Sequence, residues 1–109
     1  MPSRDRLRGT LEVLILKTLT WGPRHGYAIA RWLEETSSEV LRVEEGSLYP
    51  ALYRMERRGL IKSDRRMSEL ERPAKYYSLT AAGRRELRAE SAEWLVFARE
   101  VARVLQAQA

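Results

Sequence analysis

The stretch GSLYPALYRMERRGLIKSD, residues 46–64, decides how the rest of the chain reads. It opens on Gly46-Ser47, places Pro50 three residues later, sets Tyr49 and Tyr53 four apart, and ends in Arg54, Arg57 and Arg58 before Gly59. On a helix, Leu48, Ala51, Leu52 and Met55 fall at i, i+3, i+4 and i+7 and form one apolar stripe. The opposite side then carries Tyr49, Pro50, Tyr53, Arg54 and Arg57. Ser47 reads as the N-cap, which puts Pro50 in the first turn, where a missing N–H costs little because first-turn donors have no intrahelical acceptor. Gly59 reads as the stop. One face thus holds the helix to its own domain, while the other shows hydroxyls, a flat apolar ring and guanidinium groups at the scale of a major groove. Arginine holds phosphate oxygens or reads guanine edges, tyrosine hydroxyls donate to phosphate, and a proline or tyrosine ring can touch a thymine methyl. Positive charge runs on through Lys62, Arg65 and Arg66, giving six basic residues against Glu56 and Asp64 between 54 and 66. The plainer reading is that these arginines only complement the helix dipole; the strands that follow and the basic balance of the chain weigh against it.

Upstream, TLEVLILKTL (10–19) has helical spacing of Leu11, Leu14, Ile15, Thr18 and Leu19, with Thr10 as its expected N-cap. WGPRHGY (21–27) reads as a tight connection, since Pro23 forbids continuation of the helix. A second helix fits 27–36, with Ile29, Trp32 and Leu33 inward. Residues 37–47 read as a loop or a minor strand around Val40, Leu41 and Val43. Downstream, LIKSDRR and AKYYSLT flank the polar MSELERP as a hairpin, and Thr80 caps a last helix over 81–106. The expected fold is mainly α with a small β-hairpin: a winged helix-turn-helix over 1–79, followed by a long C-terminal helix over 80–109, the two making one compact unit.

The chain has 109 residues, 44% apolar and 32% charged, which suits one globular domain. It has no cysteine, which removes disulfides, thiolate zinc sites and cysteine nucleophiles and fits a reducing compartment. No apolar run approaches the ~18 residues of a membrane span, so the expectation is a soluble, cytoplasmic protein with no membrane partner. A net charge of +5 favours an anionic partner, nucleic acid first. Catalysis finds little support. His25 is the only histidine and its place beside a turn suits a cap or a phosphate contact. The pairs Glu34/Glu35 and Glu44/Glu45 lie in solvated runs without metal-ligand spacing. No enzyme activity, cofactor or metal is expected.

In the last helix Leu87, Ser91, Trp94, Ala98, Val101 and Leu105 follow a heptad-like spacing, broadened by Leu95, Phe97 and Val104. So long a stripe exceeds what a small core can cover, and it predicts a homodimer that also uses the apolar first helix at Leu11.

Three segments, GPRHGYAIARWLEE, GSLYPALYRMERRGLI and KYYSLTAAGRRELRAE, together resemble the PadR family of bacterial transcriptional regulators over roughly residues 8–105. HGY, GSLYPAL and YYSLTAAGR stand in the family's order and spacing. The resemblance implies a winged helix whose third helix enters the major groove, and a single C-terminal helix that pairs two subunits. Ser47, Tyr49 and Pro50 match the family's groove- and phosphate-facing helix start, with Tyr53, Arg54 and Arg57 continuing that surface. The wing corresponds to 61–79. Of Tyr76 and Tyr77 one should pack inward and one outward, since adjacent strand residues alternate. The wing loop RRMSELERPAK departs from its glycine-bearing or basic relatives in carrying Glu69, Glu71 and Pro73, so Arg72, Lys75 and Tyr76 are candidates secondary to the third helix. Trp94 packs the dimer interface or, as in ligand-responsive members, lines a pocket for a flat aromatic effector. The expectation is a homodimeric repressor on a palindromic double-stranded operator. The alternative, from another class, is a winged-helix module whose basic helix docks an acidic protein.

Overall fold

A computed structural model describes residues 4–109. Its elements are α1 (Arg4–Thr18) with a 3-10 turn (Leu19–Trp21), β1 (Arg24–His25), α2 (Gly26–Thr36), α3 (Glu45–Arg57), β2 (Ile61–Met67), β3 (Pro73–Leu79) and α4 (Ala81–Gln106). This is the winged helix-turn-helix with a long final helix. Residues 1–3 of the expected 1–79 unit lie outside the described residues.

The core explains the order. Ile15, Leu16 and Leu19 from the α1 end, Ile29 and Leu33 from α2, and Leu48, Ala51, Leu52 and Met55 from α3 form one cluster, closed by Leu60, Ile61 and Tyr77. The whole stripe expected on α3 is at most 2% exposed. Each large aliphatic side chain so buried contributes about 1.5–3 kcal/mol, which fixes the rotation of α3 and hence what its other face shows. Thr18 is the exception: it is fully buried and its hydroxyl has no hydrogen-bond partner among the described residues. An orphaned polar group costs more than an isosteric methyl. Thr18→Val should therefore raise stability by about 1 kcal/mol, seen as a later urea midpoint at unchanged slope.

Two caps match their sequence signals. The Thr80 hydroxyl accepts from the Gly83 N–H at 3.0 Å and donates to the Gly59 carbonyl at 2.6 Å. His25 Nδ1 accepts from the Ala28 N–H at 3.2 Å, capping α2. Two others do not. Thr10 is not an N-cap, because α1 already begins at Arg4, and arginine and leucine before Thr10 are good helix formers. The Thr10 hydroxyl instead accepts from the Trp94 indole N–H at 2.8 Å. Ser47 is not an N-cap either. The cap position is Glu44, whose carbonyl accepts from the Ser47 and Leu48 N–H groups at 3.0 and 2.9 Å. Pro50 therefore lies beyond the first turn, and its absent N–H leaves the Gly46 carbonyl without its helical donor. Both residues are exposed, so water can fill that place.

The hairpin gains a third strand. The sheet order is β1-β3-β2, with Arg24 opposite Tyr77 and His25 opposite Tyr76, and with β2 and β3 antiparallel from Ile61/Leu79 to Met67/Pro73. Two residues give no periodicity, so β1 hid inside the tight connection. Of residues 37–47, expected as a loop or minor strand, 37–41 form turns and bends with Ser38 and Glu39 at positive φ, 42–44 are irregular, and 45–47 already belong to α3.

Candidate nucleic-acid interface

The buried stripe of α3 leaves Ser47, Pro50, Tyr53 and Arg57 exposed on the other side. Tyr53 is 63% exposed, and the Arg57 guanidinium lies 5.8 Å from its ring centre. A guanidinium over an aromatic face interacts with the ring's π cloud and leaves its N–H donors available. Arg57 has no ion-pair partner among the described residues. Tyr49 is 45% exposed and leans on the start of α2. A Cβ at Gly26 would stand 2.8 Å from its hydroxyl, so the glycine is what lets the ring lie there.

Arg54 has turned toward α1. Its Nε lies 3.5 Å from Glu12 Oε1, while Glu12 Oε2 takes Arg58 Nη1 at 3.2 Å. Arg58 also reaches Glu86 of α4, at 3.7 Å. Glu12 was not among the residues singled out from the sequence. The signal available was a lone acid inside the apolar run 10–19.

In the wing, Tyr77 points inward at 5% exposure and Tyr76 outward, as strand alternation requires. Burial pushes the Tyr77 phenol above its ordinary pKa, with the nearby Glu56 charge adding to the effect. Lys75 is held at the C-terminal end of α3, 3.5 Å from Glu56 Oε1, while Glu56 Oε2 accepts from the Ser63 hydroxyl at 2.6 Å. Tyr76 meets His25 edge-on at 5.4 Å, with the Arg66 guanidinium 5.6 Å from its ring. Arg66 in turn donates to both oxygens of Asp64, at 2.8 and 3.2 Å. Arg72 stands exposed in the loop beside Glu69 and Glu71, and like Lys62 and Arg65 it has no ion-pair partner among the described residues. Between wing and α2 runs an open groove of about 820 Å³, lined by His25, Tyr27, Tyr49, Leu70 and Tyr76 among others. Its floor includes the start of α2, whose backbone N–H groups suit an anion. Tyr27 and Leu70, 68% and 79% exposed, belong to this groove and were not singled out from the sequence; Tyr27 could have been read from its place in HGY.

The seam of α4 divides in two. Leu87, like Leu11 of α1, packs on the chain's own core. Trp94 is half-buried, bonded to Thr10 and edge-on to Phe97 at 6.1 Å, and Ala98 is half-buried. Val101 and Leu105 are exposed, together with Leu95 and Val104. Val13, Leu14, Leu41, Trp94 and Leu95 help to line an apolar groove of about 370 Å³ between α1 and α4. Among the described residues no cluster of three or more His, Asp or Glu could hold a metal ion, and no helix is long and apolar enough to cross a membrane.

Comparison with known proteins agrees with this geometry. Residues 15–89 match the family model described as the transcriptional regulator PadR-like family. A transcriptional regulator of Mycobacterium tuberculosis is 39% identical over 99 residues, which are 90% of this chain and 88% of that protein. The crystal structure of a PadR-like transcriptional regulator from Bacillus cereus superposes with a TM-score of 0.79 at 31% identity, covering 95% of this chain and 99% of that one. Bacillus subtilis PadR, solved in complex with operator DNA, superposes at 0.65 with 27% identity, over 79% of this chain and 46% of that longer one. A chain with this fold, this outward face on α3 and these relatives is no enzyme: it belongs to the PadR-like family of transcriptional regulators.

Proposed function

We propose that the protein is a homodimeric repressor that lays α3 in the major groove of a palindromic operator and excludes transcription by occupying it. The observation that carries this reading is the split of α3, with Leu48, Ala51, Leu52 and Met55 buried and Ser47, Pro50, Tyr53 and Arg57 left open. The operator-bound relative from Bacillus subtilis supports it. Tyr49 and the N-terminus of α2 are placed to hold one phosphate strand, and Arg72 and Tyr76 to approach it from the wing. Lys75 reaches DNA only by leaving Glu56. Work on the chromosome puts the protein in the cytoplasm.

The partner in the dimer is a second copy, seated on Val101, Leu105 and their exposed apolar neighbours along α4, continuous with Trp94 and Ala98. A 26-residue helix whose last turns carry such side chains in water is better covered than open. The groove beside Trp94 has the apolar lining to take a small flat aromatic effector. Selection of bound fragments from random DNA tests the proposal. It should enrich two inverted half-sites spaced by about 34 Å or a multiple of it. Enrichment of a single asymmetric site, or of none, would contradict it.

A further inference from the structure

Glu12 is the only acid in residues 10–19. Its side chain is 15% exposed, and its two oxygens are shared between Arg54 Nε at 3.5 Å and Arg58 Nη1 at 3.2 Å. A carboxylate so far withdrawn from water is costly unless it is paired. Arg54 supplies the pairing from the last turn of α3 and Arg58 from its C-cap, where it also reaches Glu86 at 3.7 Å, on the flank between the open face and α1. The same arrangement recurs around that face. Glu56 sits on Lys75 at 3.5 Å and Asp64 on Arg66 at 2.8 Å. Arg57, on the open face itself, rests on Tyr53 with no acid beside it among the described residues.

We infer that Glu12 is a specificity-determining residue: it neutralises two guanidinium groups beside the reading face and so restrains binding to DNA of any sequence. Phosphate attraction acts at every site on a duplex and supplies nearly all non-specific affinity. Selectivity is the ratio of operator to bulk binding, so a cation freed on the flank raises the denominator at least as much as the numerator. Glu12 acts through Arg54 and Arg58 and is a positioning residue that touches no base. The inference rests on the DNA-binding reading above.

Its test is the salt dependence of Kd for the selected operator and for a scrambled duplex of equal length, read by fluorescence anisotropy on the full chain. In Glu12→Gln the side chain keeps its shape and one acceptor but loses its charge. If one further phosphate is contacted per subunit, the slope of log affinity against log salt steepens by about 1.8 for a dimer. The scrambled duplex gains more than the operator, and Glu12→Asp, which keeps the charge, returns toward the wild-type slope. Adding Arg54→Gln to Glu12→Gln removes part of the steepening. Arg58→Gln with Glu12 intact leaves the wild-type slope in place, so the inference stays testable even if Glu12→Gln fails to fold. An unchanged or shallower slope in folded Glu12→Gln, or a shallower one in Arg58→Gln, overturns the inference while leaving the DNA reading intact. Wild-type protein that binds neither duplex overturns the DNA reading instead.

Discussion

Gly83→Ala is expected to lower the stability of the fold by about 3 kcal/mol, the upper range for forcing an extra methyl into a packed site. Gly83 is buried in the first turn of α4. A Cβ there would fall on the Leu60 carbonyl oxygen and lie 3.1 Å from Leu79 Cδ2. The obstacle is backbone, so no rotamer can yield. That carbonyl also accepts from the Thr80 N–H at 3.2 Å, and Thr80 bridges Gly59 to Gly83 through its hydroxyl. One methyl thus disturbs the point where the end of α3, the end of β3 and the start of α4 are tied together. The melting temperature should fall by roughly 12–24 °C, taking 4–8 °C per kcal/mol for a domain of this size. Gly46→Ala is the control, since nothing lies within 4 Å of its Cβ. A melting temperature within a few degrees of wild type for Gly83→Ala would mean that α4 does not start against Leu60.

The second large effect is on binding. Operator affinity should fall about 10³–10⁵-fold between 50 and 200 mM salt, as expected for a dimer that neutralises roughly 6–10 phosphates. The wild-type sites placed to do so are the basic side chains of α3 and the wing that have no ion pair among the described residues: Arg57 on α3, Lys62 and Arg65 on β2, and Arg72 in the wing loop. Two copies of these four fall inside that range. The remaining positive charge is partly spent. Arg54 and Arg58 face Glu12, Lys75 faces Glu56 and Arg66 faces Asp64. Net charge alone, +5 per chain, would not separate the two groups. Anisotropy titrations across that salt range measure the fall directly, and a change smaller than about tenfold would mean that phosphate contacts are few.

Much of this architecture was legible from periodicity. The inward stripe of α3 is set by spacing alone, because apolar residues at 48, 51, 52 and 55 admit one rotation of a helix. The Tyr76/Tyr77 alternation and the Thr80 cap follow from equally local rules. What escaped depends on distant partners. Thr10 has the chemistry of a cap but sits inside α1 and bonds to Trp94, 84 residues away in sequence. Ser47 looks like a cap, yet the helix starts earlier on a backbone carbonyl that any residue could supply. β1 is two residues long and exists only because β3 lies beside it. In the site, the open positions of Tyr53 and Arg57 followed from the stripe. The withdrawal of Arg54 toward Glu12 did not, since helical geometry gives a direction from the axis and says nothing of a carboxylate on another helix.

The double variant Tyr53→Ala/Arg57→Ala puts the proposed reading of the operator by the open face of α3 to the test. Both side chains are exposed, so melting temperature and dimer mass in sedimentation should match wild type. The measurement is the ratio of Kd for scrambled duplex to Kd for operator. A base contact is worth about 1–3 kcal/mol of discrimination, so the ratio should drop by roughly one to two orders of magnitude and the salt slope should become shallower by about 1.8. A folded, dimeric double variant that keeps the wild-type ratio would contradict the account.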